Sequence, residues 1–299
     1  MSASITPLRL VVGFSAGSAS DDVAHLIAAP LSEQLQRRVV IERIAGASGT
    51  LGAHAVAQSA ADGNTVFIAT LGTHALAPHV RKKLSYDALH DFTPVALLTQ
   101  SPMLLACHPS LPVHDLHAFI AHARAHPAAL AYGTSAIGGA PHLAAELFQS
   151  VTGVELRHAR YDETKKLYAD LETGRIALSF NNIMSMLPRC ATGHLRALGV
   201  TSAQRPAVAP HIPTLAECGL QSCEVSNWLG LVAPRGMPAA MTNTISLAAA
   251  AVIHSARVVT TLNASGITPC GSTPAAFGTY MASELERWEP VVRRFSPTQ

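Results

Sequence analysis

The sequence predicts an α/β protein built as two Rossmann-like lobes, each a mostly parallel sheet covered by helices. Three observations carry that reading. Short apolar runs alternate with helical patterns along the chain, which is the signature of βαβ units. Four loops of small residues each follow an apolar run and lead into a helical stretch. The chain has 299 residues, enough for roughly two domains at about 150 residues each.

The first loop organises the rest. Leu8-Arg9-Leu10-Val11-Val12 reads as a buried strand, and Val23 to Ala29 as a helix. Between them lies Gly13-Phe14-Ser15-Ala16-Gly17-Ser18-Ala19-Ser20-Asp21-Asp22. Ser20, Asp21 and Asp22 are all competent helix N-caps. Small side chains let a ligand approach the main chain. The first amides of a helix lack internal partners and carry the positive end of its dipole. A carboxylate, phosphate or sulfate suits such a place; a purely structural turn is the alternative reading. The spacing Gly13-x-x-x-Gly17 fits neither the dinucleotide fingerprint nor the Walker loop, and no Lys follows it.

The other elements follow in order. Arg38 to Glu42 is a second strand, and Gly46-Ala47-Ser48-Gly49-Thr50-Leu51-Gly52 leads from it into a helix over 53–57. Thr65 to Ala69 is a third strand, followed by Thr70-Leu71-Gly72-Thr73-His74. Val95 to Leu98 and Met103 to Ala106 read as two extended runs. A helix over Asp115 to Arg124 and a strand over Leu130 to Tyr132 precede the fourth loop, Gly133 to Pro141. Pro141 suits the first turn of the helix carrying Leu143, Leu147 and Phe148.

A short strand near 154–156, a helix near 164–171 and a strand over 176–180 come next; Asn181-Asn182 closes that strand and opens another helix. Leu195 to Val200 is a strand, Trp228 to Ala233 is extended, and two or three helices finish the chain. The last runs from about Pro274 to Arg294, and its stripe of Phe277, Met281, Leu285 and Trp288 docks it on the first lobe. The expected division is 1–104 plus 227–299 for one lobe and 105–226 for the other. Ligands of open α/β sheets bind beyond the carboxyl ends of the strands, where all four loops fall.

Composition narrows the function classes. Hydrophobic residues make up 48% and charged residues 13%, so a large core is affordable and disorder is not expected. A net charge of +2 leaves no electrostatic footprint for nucleic acid. The apolar run Ile245 to Ile253 falls short of a membrane span. Met1-Ser2-Ala3-Ser4 lacks a basic segment followed by an apolar one. Either the protein is made without a secretory signal, or the chain starts at the mature end. The five cysteines, Cys107, Cys190, Cys218, Cys223 and Cys270, contain no C-x-x-C. Cys218 and Cys223 either pair locally or stay as inert thiols, as the others do.

Several ordered motifs resemble those of one family, the receptors of tripartite tricarboxylate transporters, also called Bug receptors. Its F-P-A-G-G-x-x-D is similar to Phe14 through Asp21, its P-G-A-G-G-x-x-G to Ala45 through Gly52, and its G-T-H-A-x-x-P to Gly72 through Pro78. Its Y-D-P-x-x-D-F-x-P-V resembles Tyr86 through Val95, and its G-S-S-G-x-G-x-x-x-H-L resembles Gly133 through Leu143. The stretches Gly193 to Arg205, Pro213 to Gly219 and Trp228 to Pro234 match further family patterns.

The resemblance implies a type II periplasmic-binding-protein architecture with an interlobe cleft. It implies a small organic acid as ligand, membrane transporter subunits as partners, a periplasmic location, and neither an enzyme activity nor a cofactor; a monomer is expected. By the same resemblance, Ser15, Ala16, Gly17, Ala19 and Ser20 grip one carboxylate while Asp21 holds the turn. Gly72, Thr73 and His74 complete that wall. Gly133, Thr134, Ser135 and His142 supply donors from the second lobe, and Asn181 a polar side chain at its edge.

The sequence also departs from the family pattern. Y-K-G reads Tyr161-Asp162-Glu163, F/M-D-N reads Phe180-Asn181-Asn182, and Ser18 replaces a glycine. If Asp162 and Glu163 reach the mouth of the cleft, they repel a second carboxylate. An intracellular ligand sensor of the same fold is the alternative function, and a Ser135/His142 activity a third, although no orienting acid is specified. His74 and His142 either touch a ligand or buttress their loops. Phe14 and Trp228 either cap a ligand or pack in the core. His122 and His126 have the i, i+4 spacing of metal ligands, but a solvated helix face is the expected role and no third ligand is placed.

Overall fold

The computed structural model describes residues 6–134, 138–161 and 163–295. In chain order its elements are β1 (Leu8–Val12), α1 (Ala19–Leu35), β2 (Val39–Arg43), α2 (Thr50–Ala57), β3 (Thr65–Thr70), α3 (Ala77–Val80), β4 (Phe92–Cys107), α4 (Leu116–Ala125), β5 (Ala131–Thr134) and α5 (Ala140–Thr152). Then follow β6 (Arg157–Arg160), α6 (Thr164–Glu172), β7 (Leu178–Asn182), α7 (Ile183–Ala191), β8 (Arg196–Val200), β9 (Ser226–Pro234), α8 (Ala239–Ile253), α9 (Ala256–Ala264), β10 (Thr268–Pro269) and α10 (Pro274–Phe295).

The chain divides into two compact units. The first takes the chain up to Gln100, returns for Trp228–Leu262, and resumes from Thr268. The second takes Ser101–Asn227 and Asn263–Ile267.

In the first unit β1 lies between β2 and β3, parallel to both, with Leu10 opposite Ile41 on one side and Val66 on the other. β9 continues the sheet antiparallel to β3, with Ala69 opposite Gly230. The fully buried Leu8, Leu10, Phe67 and Trp228 form part of its core, each worth about 1.5–3 kcal/mol of burial. In the second unit β5 is parallel to β6 and β7, while the end of β4 runs antiparallel to both β7 and β8. Each sheet is therefore mixed: a parallel group extended by antiparallel strands.

Four local differences from the sequence reading have physical causes. The two extended runs at 95–98 and 103–106 belong to one strand, β4. Ser101-Pro102 does not break it, since the fixed φ of proline is compatible with extended backbone. α1 starts at Ala19, capped by Ser18 and not by Ser20, Asp21 or Asp22, because Asp21 is engaged elsewhere. The strand read near 154–156 lies at β6. In α10, Phe277, Met281 and Trp288 are buried, but Glu284 takes the place expected of Leu285. Its Oε2 accepts a hydrogen bond at 3.1 Å from each of Trp228 Nε1 and Trp288 Nε1, which satisfies a carboxylate only 4% exposed. Trp228 is thus a core residue, edge-on to Phe277. All five cysteines are free thiols. No single helix among the described residues is long and apolar enough to cross a membrane.

Candidate functional site

In the first unit three small-residue loops converge beyond β1, β2 and β3. Glycine permits the convergence. A Cβ at Gly13 would stand 2.8 Å from the Gly49 carbonyl oxygen and 2.9 Å from its Cα. A Cβ at Gly49 would meet both the Phe14 ring and Thr73 Cγ2 at 2.8 Å. The 13–18 and 46–52 loops therefore touch main chain to main chain, and the half-buried Phe14 ring and the Thr73 methyl close in on Gly49.

The 13–18 loop ends on α1, a helix of 17 residues. The Ser18 Oγ accepts from the Asp21 amide at 3.3 Å. Asp21, in turn, folds back: its Oδ2 accepts from the Gly17 amide at 3.0 Å and its Oδ1 from Arg43 Nε at 2.6 Å. Burial by itself would raise the Asp21 pKa. The Arg43 guanidinium and the Gly17 N–H together outweigh that and hold the carboxyl below its ordinary range. Asp21 thus ties the loop to the end of β2, and Arg43 is the partner that sequence reading missed. Its only signal was a cation at the end of the neighbouring strand. The amides of Ala16, Ala19 and Ser20 have no hydrogen-bond partner among the described residues. Ser15, Ala16 and Gly17 are exposed.

Behind this loop, β3 passes into a π-helical turn, Gly72–Leu76, that runs on into α3. Such turns are uncommon and recur at functional sites. Thr70 and Thr73 cap each other: the Thr70 amide donates to Thr73 Oγ1 at 3.0 Å and the Thr73 amide to Thr70 Oγ1 at 3.1 Å. Tyr86 Oη donates to the Thr73 carbonyl at 2.7 Å. The His74 side chain is fully buried. Its ring lies 4.7 Å from that of Phe92 and 6.0 Å from those of Phe67 and Tyr86, and its Nδ1 is 2.9 Å from Thr73 Oγ1. Burial drives its pKa down to about 3, so the imidazole is neutral. The ring buttresses the loop from within; Gly72 alone of this trio is partly exposed.

In the second unit the fourth loop follows β5. Ser135 lies outside the described residues, as does Asp162. Gly133 and Thr134 are buried, with Ser179 Oγ donating to the Gly133 carbonyl at 2.9 Å and Thr134 Oγ1 lying 2.7 Å from His158 Nε2. His142 Nδ1 accepts from the Gly138 amide at 3.3 Å, and its Nε2 is 3.7 Å from Glu146 Oε1. Tyr132 Oη donates to the same Glu146 oxygen. His158 lies flat against Tyr132 at 4.8 Å and 4.7 Å from the His142 ring. Burial lowers the pKa of His142 against the pull of Glu146, and lowers that of His158 with help from His142. His142 thus anchors its own loop through an acceptor nitrogen. The partners Tyr132, Glu146 and His158 were not read from the sequence. Only the i, i+4 spacing of His142 and Glu146 could have flagged one of them.

Asn181 is the last but one residue of β7, buried, opposite Leu104 of β4. Glu163 is exposed at the start of α6. Among the described residues no group of three or more His, Cys, Asp or Glu side chains could hold a metal. The His122 and His126 rings instead lie 4.5 Å apart and tilted by 37°, with His126 Nδ1 against the His122 carbonyl.

Comparison with known proteins fits this geometry. The family described as tripartite tricarboxylate transporter family receptor, TctC, matches residues 23–296. The chain is 32% identical to the protein BugT of Bordetella pertussis, across 96% of this chain and 88% of that one. It is similar to the structure of R. palustris Rpa4515 with adipate, at 37% identity and a TM-score of 0.89 over 96% of each chain. MatC from Rhodopseudomonas palustris with bound malate superposes with a TM-score of 0.86 at 31% identity, over 96% of this chain and 98% of that one. A match along nearly the whole chain, on a fold whose first unit gathers bare backbone at a helix start, leaves one conclusion: the chain belongs to the tripartite tricarboxylate transporter receptor family of solute-binding proteins.

Proposed function

We propose that this receptor captures a small organic carboxylate and presents it to a tripartite tricarboxylate-type membrane transporter, acting as a monomer in the periplasm. One carboxylate is anchored by Ser15, Ala16, Gly17, Ala19 and Ser20, with Phe14 beside it and Asp21 fixing the turn. Gly72 and Thr73 complete that wall, and His74 stiffens it from behind. Gly133, Thr134, Ser135, His142 and Asn181 of the second unit supply further polar contacts.

The observation that carries this reading is the set of three unpartnered amides, Ala16, Ala19 and Ser20, at the start of α1. Amides fixed before the ligand arrives replace its water without reorganising. Together with the helix dipole they favour a negative guest. Adipate with Rpa4515 and malate with MatC support the ligand class. The reading is tested by native mass spectrometry of freshly purified protein, followed by calorimetric titration with adipate and malate. A co-purified or titrated organic acid at one per chain is expected. A protein that binds only neutral or cationic solutes refutes it.

A further inference from the structure

The fourth loop is held near both ends by an imidazole. At its start, Thr134 Oγ1 lies 2.7 Å from His158 Nε2. Toward its end, the Gly138 amide donates to His142 Nδ1 at 3.3 Å. The two rings lie 4.7 Å apart. All of these groups belong to the second unit.

The two bonds respond differently to a proton. A threonine hydroxyl can donate or accept, so the Thr134 bond survives a change of state at His158. A backbone amide can only donate, so the Gly138 bond requires an unprotonated Nδ1. The neutral His142 ring therefore carries its hydrogen on Nε2, which lies 3.7 Å from Glu146 Oε1. An added proton would go to Nδ1 and set N–H against N–H at Gly138.

The surroundings decide which ring takes that proton. Glu146 Oε1 is fixed by Tyr132 Oη and by Gln149 Nε2, the latter at 3.2 Å, and it faces His142 as a counter-charge. His158 has Arg160 on its own strand, and a charge on His142 opposes one on His158 as well. Burial and Glu146 keep Tyr132 protonated. β7, packed on α5, has no titratable side chain. Cys223, in the 221–223 turn against the same helix, has its thiol pushed up to about 11 by burial. Burial disfavours the His142 charge, so the ring is neutral near about pH 7 and is protonated on acidification.

We propose that His142 is a proton-sensitive tether: one proton on its imidazole frees the Gly138 amide at the entry to α5 and weakens capture of the acid. The tether lies wholly within the second unit; its effect on capture rests on the function proposed above. The bond is intact above the usual histidine range and is lost as pH falls below about 6.5.

The test follows the Gly138 amide and the His142 ring of the whole protein by NMR from about pH 7.5 to about pH 5. Adipate and malate are titrated calorimetrically at both ends of that range. The Gly138 amide should move with the same midpoint as the His142 ring. Glu146→Gln keeps an acceptor for Tyr132 but removes the counter-charge, and should lower that midpoint by about one pH unit. His158→Gln keeps a partner for Thr134 and should leave the midpoint in place. Across the range, acid affinity should fall about threefold further in the unaltered protein than in Glu146→Gln. Protonation of the ligand itself is common to both proteins and cancels in that ratio. A Gly138 amide that ignores the His142 midpoint overturns the proposal, as does a midpoint that moves with His158→Gln and not with Glu146→Gln. A tether that titrates with no matching loss of affinity overturns its link to capture. If neither acid binds at either pH, the carboxylate reading falls, and the Gly138 response alone decides the tether.

Discussion

Replacing Gly17 separates backbone geometry from side-chain volume in the anchoring loop. Gly17 has φ +77°, and a Cβ built there meets nothing within 4 Å. Space is therefore available, and any penalty is torsional. A residue other than glycine in this region costs about 1–2 kcal/mol, at the upper end or beyond for a β-branched one and least for asparagine, which tolerates it. Gly17→Asn, Gly17→Ala and Gly17→Val should thus cost about 0.5, 1 and 2 kcal/mol. The fold survives all three, since each kcal/mol lowers the melting temperature by about 2–4 °C at this domain size.

Binding suffers more selectively. The strained loop relaxes by releasing the Gly17 amide from Asp21 Oδ2, a 3.0 Å bond, and the ligand must then restore it. Restoring about 2 kcal/mol weakens Kd about thirtyfold for Gly17→Val, and about twofold for Gly17→Asn. Titration with adipate reads both. Unchanged affinity in the valine variant removes this loop from the site. An asparagine variant as weak as valine shows that bulk, not torsion, is what the loop excludes.

Three other outcomes follow from the geometry. Arg43→Met should destabilise the first unit by about 1–2 kcal/mol in urea titration and weaken acid binding, because the Asp21 carboxylate, 4% exposed, loses its guanidinium. His74 remains neutral when folded down to about pH 3, whereas the unfolded chain takes up a proton near pH 6.5. Its stabilisation is therefore complete above pH 6.5 and declines as pH falls from there toward 3, by about 2 kcal/mol at pH 5; His74→Gln should flatten the fall of melting temperature over that window. Glu284→Leu should cost about 2–4 kcal/mol by leaving two buried Trp N–H groups unpaired, and Glu284→Gln about 1 kcal/mol or less, since one amide oxygen can still accept both; equal losses would show that the Trp bonds contribute nothing.

The parts of the molecule most legible in the sequence are those set by short-range pattern. β1 was readable from five residues because a buried strand announces itself as an apolar run, and the Gly/Ser loops because small residues punctuate chains. The family resemblance then assigned those loops to ligand binding. What stayed hidden was set by partners distant in the chain. Nothing near Asp21 marks Arg43 as its counter-ion, 22 positions away. The helical stripe that assigns Leu285 to the core has no means of weighing two indole N–H groups that need Glu284, one of them 56 positions back. In the sequence His74 reads equally as a ligand contact or as a buttress of its loop, because a polar residue in a loop fits either role. Only the packing of Phe67, Tyr86 and Phe92 around it makes it a neutral filler.

These hidden contacts share a purpose. A guanidinium presented directly to a ligand would attract any anion and would weaken as salt screens it. Arg43 is instead neutralised by Asp21 at 2.6 Å, and Arg81 is turned onto the Ala47 carbonyl at 2.6 Å, so both cations build loops. The remaining attraction comes from amides at fixed points, and such donors discriminate by shape only if they cannot shift. That requirement accounts for the reciprocal Thr70 and Thr73 bonds, the uncharged His74 wedged among aromatic rings, and glycines that let one loop rest on the backbone of the next. The polar side chains around these loops keep main chain in place, and in the function proposed above the selectivity for a carboxylate follows from where that main chain is held.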